Sequence, residues 1–214
     1  MKLLAIDTST ETASAALLVG KELFCEEQKN QKTHAQFILP MIDSLMSQAG
    51  LQINQLDAIV FGRGPGSFTG LRIACSIAKG LAFAHDIPLM PVSSLLAIVW
   101  SIRKQYNQDL PVLAILDARM HEIYWAYFPE NKWTAEEYVT PVSQVNIPEQ
   151  TVILAGSGID IYWDDFTPEI KTLISEKVPM LPSAASMIQY AQFSGQAPIL
   201  AAHAQPVYVR NKVT

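Results

Sequence analysis

Cysteine, charge and long apolar runs are all scarce in this chain of 214 residues, and each shortage closes off a class of function. Its two cysteines, Cys25 and Cys75, make no disulfide framework, and no Cys-x-x-Cys is present. Charged residues are 16 % of the chain and the net charge is −5, whereas gripping nucleic acid unaided needs clustered cations that neutralise phosphates. The chain is therefore a poor stand-alone RNA binder. No apolar run approaches the roughly 18 residues of a membrane span. The opening MKLLAID is broken by Asp7 too soon for a secretory core, so the expected location is cytoplasmic and off the membrane. The four histidines, His34, His85, His121 and His203, never pair four residues apart, and no His-Glu-x-x-His, serine elbow or Cys/His arrangement occurs.

What the chain does have is apolar residues: they make up 50 % of it, enough for one good core or two small ones. With so little charge to spread, some apolar surface is expected to be reserved for a partner.

Along the chain, Leu3–Ile6, Ala13–Val19 and Leu23–Glu26 read as a meander of strands. Thr33 can cap a helix to about Ala49, with Phe37, Ile38, Met41, Ile42, Leu45, Met46 and Ala49 on one face and Pro40 as a kink or first-turn residue. Leu56–Phe61 reads as a buried strand, Gly62–Gly66 as a tight loop, and Ser67–His85 and Val92–Ser101 as helices. Further on, Val112–Leu116, Ile123–Phe128, Trp133–Val139 and Val152–Ala155 are predicted strands. Ser183–Phe193 is a predicted helix and Pro206–Arg210 a final extended piece.

Two stretches echo each other: LLAIDTSTETASAALL and LAILDARMHEIYWAYF. Each is a buried strand, an aspartate at its end, a turn and a returning strand. A unit of that kind heading each half predicts a duplicated α/β, ribonuclease-H-like fold. The division expected is a first lobe over 1–105 and a smaller second lobe over 106–214, whose extreme C-terminus is free to return to the first.

Asp7-Thr8-Ser9-Thr10 lacks the glycine that lets a backbone approach a phosphate, so it reads as an Asx or Ser/Thr turn closing a hairpin. Gly62-Arg63-Gly64-Pro65-Gly66-Ser67-Phe68-Thr69-Gly70 is the richest local signal, and a Gly-rich loop entering a helix can hold an anion. Its spacing fits neither the P-loop nor G-x-G-x-x-G, which favours a structural turn. In the helix that follows, Gly70, Ala74, Ala78 and Ala82 recur every four residues, as do Ser76, Gly80 and Ala84, with bulky Ile73, Ile77 and Leu81 beside them. Small residues at that spacing allow close helix approach. Taken alone, this stripe and the Phe37–Ala49 stripe read as core.

MKLLAIDTSTETASAAL, HAQFILPMID, GRGPGSFTGLRI…AKGLA, PVSSL, LDARMHEIYWA and PVYVRN together resemble the TsaB (YeaZ) family over nearly the whole chain. The resemblance implies an ASKHA (actin, sugar kinase, Hsp70-like) fold and a place in the bacterial complex that makes threonylcarbamoyl-adenosine beside the tRNA anticodon. In that family TsaB pairs with its catalytic paralogue TsaD through first-lobe helices, and the ATPase TsaE joins the assembled pair. By implication Phe37, Met41, Leu45, Gly70, Ala74 and Ala78 become partner-interface candidates, Arg63 and Arg119 polar or anion contacts, and the chain alone a homodimer that meets tRNA only through the complex. TsaD-like proteins hold a metal with the second and last histidines of Pro-Val-His-His-Met-Glu-Gly-His. Here Pro91-Val92-Ser93-Ser94-Leu95-Leu96-Ala97-Ile98 puts Ser94 and Ile98 at those two places. The Ser-Gly-Gly-His phosphate loop is matched by Asp117-Ala118-Arg119-Met120, which has no glycine. A non-enzymatic subunit with no catalytic residues, metal or cofactor is the expectation. A glycoprotease-like metallopeptidase of the M22 type and an ASKHA-type ATPase or kinase are the alternatives.

Overall fold

A strand that buries both faces and then meets an aspartate must turn, and the chain does this twice. In the computed structural model, which describes residues 1–29 and 34–210, each occurrence opens a five-stranded mixed sheet. The first sheet contains β1 (Lys2–Asp7), β2 (Thr12–Val19), β3 (Glu22–Lys29), β4 (Ala58–Gly64) and β5 (Leu89–Ser93), in the order β3-β2-β1-β4-β5. β1 runs antiparallel to β2, pairing Asp7 with Ser14, and parallel to β4, pairing Ile6 with Phe61. The second sheet contains β6 (Val112–Asp117), β7 (Glu122–Phe128), β8 (Tyr138–Pro141), β9 (Val152–Gly156) and β10 (Ile174–Pro179), in the order β8-β7-β6-β9-β10. The topology is the same in both: a three-stranded meander with two parallel strands added beside its first member. That is the duplicated unit the two echoing stretches predict.

Two compact units follow. One is Met1–Ser94 with Pro182–Val207; the other is Leu95–Leu181, joined by the described residues from Tyr208 on. The division therefore falls earlier than the expected 105/106, and a long piece of the C-terminal half belongs to the first unit. The reason is α6 (Ala184–Ser194), which packs on β1, β2 and β4 and buries Met187, Ile188 and Ala191.

On the first sheet, Leu4, Ile6, Leu17, Ile59 and Phe61 pack with α1 (His34–Gln48) and α2 (Phe68–His85). Fully burying one such leucine stabilises the unit by about 1.5–3 kcal/mol. α1 runs through Pro40, and the proposed cap Thr33 lies outside the described residues. Ser67 caps α2 by accepting from the Gly70 amide, and Asp86 ends it in the left-handed conformation. In the second unit, Leu113, Ile115, Ile123, Trp125 and Leu154 pack against Ile159 and Tyr162 of α4 (Ile159–Tyr162) and Ile170 of α5 (Pro168–Leu173).

Three expectations are corrected. Residues 92 and 93 finish strand β5, and the helix α3 begins at Ser94 and reaches Tyr106. Strand β4 continues through Gly64, so the loop is shorter than Gly62–Gly66. Trp133 does not open a strand; its ring lies 5.3 Å from Trp100 and under the Arg103 guanidinium, and only Tyr138–Pro141 pairs. Pro206–Arg210 lies outside both ladders: Val207 donates its amide to the Arg63 carbonyl in the first unit, and Arg210 pairs with Glu122 in the second.

Candidate functional site

The glycine-rich loop has a mechanical reason for each of its glycines. Asp7, at the end of β1, is fully buried, and its carboxylate accepts from the Ser9 hydroxyl at 3.0 Å. A β-carbon on Gly62 would stand 2.1 Å from Asp7 Oδ1, and one on Gly66 2.4 Å from the Ser9 carbonyl oxygen. At Gly70 it would be 1.8 Å from the Thr8 carbonyl oxygen. The Thr8 hydroxyl donates to the Gly70 carbonyl at 2.6 Å, and the Ser67 amide to the Ser9 carbonyl at 2.7 Å. The Asp7–Thr10 turn is thus clamped by the chain's own loop, and all four of its residues are buried. The Thr8 and Ser9 carbonyls and the Thr8 hydroxyl meet Gly70 and Ser67, and the Ser9 amide is directed at the Asp7 carboxylate at 3.4 Å. Burial pushes the Asp7 carboxyl up to about 7, against the lowering pull of its bonds to Ser9.

The matching turn of the second unit is built differently. Asp117 accepts from the Arg119 amide at 2.7 Å and from the Tyr162 hydroxyl at 2.8 Å, and pairs with the Arg119 guanidinium at 3.0 Å. Arg119, Met120 and His121 are all left-handed, a costly run for residues with side chains. Burial, and then the bond to Asp117, push the Tyr162 phenol up to about 12. Arg119 points into solvent beyond its ion pair, and an exposed pair of that kind contributes at most about 1 kcal/mol. Arg63 is half-buried at the end of β4, where its carbonyl takes the Val207 amide.

The six interface candidates separate sharply. Met41, Leu45, Gly70, Ala74 and Ala78 are buried in the first unit's own core and present no surface. The reason is phase: these positions of α1 and α2 are the ones turned onto the sheet. Phe37 alone of the six is exposed. The other small stripe of α2 faces outward. Arg72, Ser76, Gly80 and Ala84 are exposed there, with Ile73, Ile77 and Leu81 half-buried beside them, Phe68 exposed at one end and Phe83 83 % exposed at the other. Leu39 of α1 is half exposed. Arg72 lies 3.8 Å over the Phe68 ring.

Gly80 is the telling residue of this face. It sits inside a helix with nothing within 4 Å of the place a β-carbon would take. A glycine there costs the helix about 0.5–1 kcal/mol relative to alanine. Nothing inside the described chain requires it.

Ser94 and Ile98 are both buried in α3, and the Ser94 hydroxyl has no hydrogen-bond partner. Among the described residues no group of three His, Cys, Asp or Glu side chains could hold a metal ion. No described helix is long and apolar enough to cross a membrane.

Two units of identical strand order, each opening on an aspartate turn, define an ASKHA-fold protein. The family described as TsaD, tRNA N6-adenosine threonylcarbamoyltransferase, matches residues 26–205. The tRNA threonylcarbamoyladenosine biosynthesis protein TsaB of Haemophilus influenzae is 36 % identical, over 100 % of this chain and 95 % of that protein. The Escherichia coli protein of the same name is 33 % identical, over 100 % and 96 %. The solved structure of YeaZ from Pseudomonas aeruginosa superimposes with a TM-score of 0.87 at 34 % identity, covering 97 % of this chain and 99 % of that one. The chain belongs to the TsaB (YeaZ) family.

The outward residues Ser76, Gly80 and Phe83 were within reach of sequence reasoning. Arg72 heads the stripe Arg72–Ser76–Gly80–Ala84, and a charged residue on an otherwise apolar helix marks the side turned away from the core.

Proposed function

We propose that this chain is a non-catalytic subunit of tRNA threonylcarbamoyladenosine biosynthesis that pairs with the transferase paralogue TsaD through the outward face of α2. The observation that carries the reading is Gly80. An exposed mid-helix glycine with open space around it is explained by a partner backbone coming close, as small-residue stripes permit. Ile73, Ile77 and Phe83 supply the apolar flank of that contact, and Phe37 and Leu39 of α1 extend it. A specific interface buries about 1,600 Å² in total, a size that helices from both partners can reach together. Without TsaD the same face would close on a second copy.

The catalytic silence rests on the two turns. One is filled by residues 62–70; the other is occupied by the Asp117–Arg119–Tyr162 network. Activation of TsaD, a docking surface for TsaE and contact with tRNA only through the complex follow from the family resemblance. The test is reconstitution with purified TsaD and its threonylcarbamoyl-adenylate substrate. The isolated chain should give no transfer to tRNA, and TsaD should need the chain for full activity. Transfer by TsaD that is indifferent to the chain defeats the reading.

A further inference from the structure

The segment that leaves α6 touches three different parts of the first unit. Gly195 ends the helix in the left-handed conformation. Ile199 then forms a single antiparallel bridge to Leu89 at the edge of β5, exchanging amide–carbonyl bonds of 2.8 and 2.9 Å. Residues Ala201–His203 make a 3-10 turn against α2, and the Lys79 ammonium donates to the Ala204 carbonyl at 3.1 Å. Finally the Val207 amide donates to the Arg63 carbonyl at 2.7 Å. The Val207 carbonyl closes on Gly64, where a β-carbon would stand 2.8 Å away.

This is a strap with little of its own to hold it. Its apolar anchors are Ile199, Ala201 and Ala204, while Leu200 points outward, 67 % exposed. A segment tied by a few backbone bonds and small side chains opens locally, well below the free energy of global unfolding. Its latch on α2 is placed to matter. Lys79 is three residues from Ser76 and four from Phe83, so it borders the outward face of the helix. Its other end grips the loop that feeds the α2 N-terminus. Strap and Asp7 turn hold that loop together, one at Gly64 and the other at Gly62, Gly66 and Gly70.

We infer that residues 196–207 are a regulatory strap that holds α2 at Lys79 and holds the strand end that leads into it at Arg63 and Gly64, with Lys79 as a positioning residue, so that the outward face is presented to a helical partner only while the strap is closed. The inference rests on the reading of that face as the TsaD-pairing surface.

The experiment compares the full chain with Lys79→Met, which keeps the aliphatic stem, Lys79→Arg, which keeps a donor, and Val207→Pro, which deletes one amide. Amide exchange at Leu89 and Ile199 reports the strap, titration with purified TsaD reports pairing, and the thermal midpoint confirms folding. Losing the charged donor in Lys79→Met, or the backbone amide donor in Val207→Pro, should speed exchange at both amides and weaken pairing by about tenfold each, with Lys79→Arg close to the parent. Faster exchange with unchanged pairing overturns the inference, as does unchanged exchange in both disruptive variants. A parent chain that does not pair with TsaD at all is seen in the control titration and sinks the underlying functional reading instead.

Discussion

The two small-residue stripes of α2 have the same spacing and nearly the same composition, yet opposite work. On one side Gly70, Ala74, Ala78 and Ala82 let the helix lie close on its own sheet, and Gly70 is forced by a carbonyl 1.8 Å from any β-carbon. On the other side Ser76, Gly80 and Ala84 are open to solvent, and a β-carbon on Gly80 would meet nothing within 4 Å. A small residue packed from within is explained by the fold. A small residue with empty space around it points outside the chain.

Gly70→Ala breaks the inward side most severely. Its β-carbon would meet the Thr8 backbone, which cannot step aside, and the cost expected is about 3 kcal/mol or more, at the upper end for overpacking. Denaturant unfolding measures it; a loss below about 1 kcal/mol contradicts the clamped turn.

Asp7 sharpens the same side through pH. Its folded pKa of about 7 lies above the carboxyl's ordinary value of 3.8, so between those values the folded state holds a proton that the unfolded chain has released. Stability is then greatest below about pH 4 and falls as pH rises toward 7, by up to about 4 kcal/mol. Asp7→Asn should flatten that slope and be the more stable form at pH 8. An unchanged pH profile contradicts a neutral buried carboxyl.

Gly80→Ala is the mild counterpart on the outward side. The isolated chain should gain about 0.5–1 kcal/mol, because helix propensity improves and nothing is struck. A loss of stability that persists on dilution, where no second copy covers the face, means the residue is packed from within after all.

Much of this was legible in the sequence. Strand–aspartate–turn–strand stands out because buried strands are runs of apolar residues and the polar turn is abrupt, so both sheets could be seen forming around β1 and β6. The remainder failed for physical reasons. Leu89–Ser93 is a short apolar run with no period of its own, and it merged with the helix behind it. Ile174–Pro179 carries Glu176, Lys177 and Pro179 on a sheet edge, where charge and proline are tolerated, so it did not look like a strand. Trp133 looked β-like, but Arg103 and Trp100 claim its ring. In α2 the four-residue repeats were plain, and the phase was the difficulty. The family resemblance points to the first stripe as the partner's, although Arg72 marks the second as the outward one.

The central claim is that the open side of α2 exists for another helix. Gly80→Arg tests it most directly, by titrating folded variant and parent chain with purified TsaD. The variant should keep the parent's thermal midpoint within a few degrees and lose pairing by a hundredfold or more, as an arginine in a close helix contact costs about 3 kcal/mol or more. Pairing at the parent's affinity would show that TsaD does not approach this face.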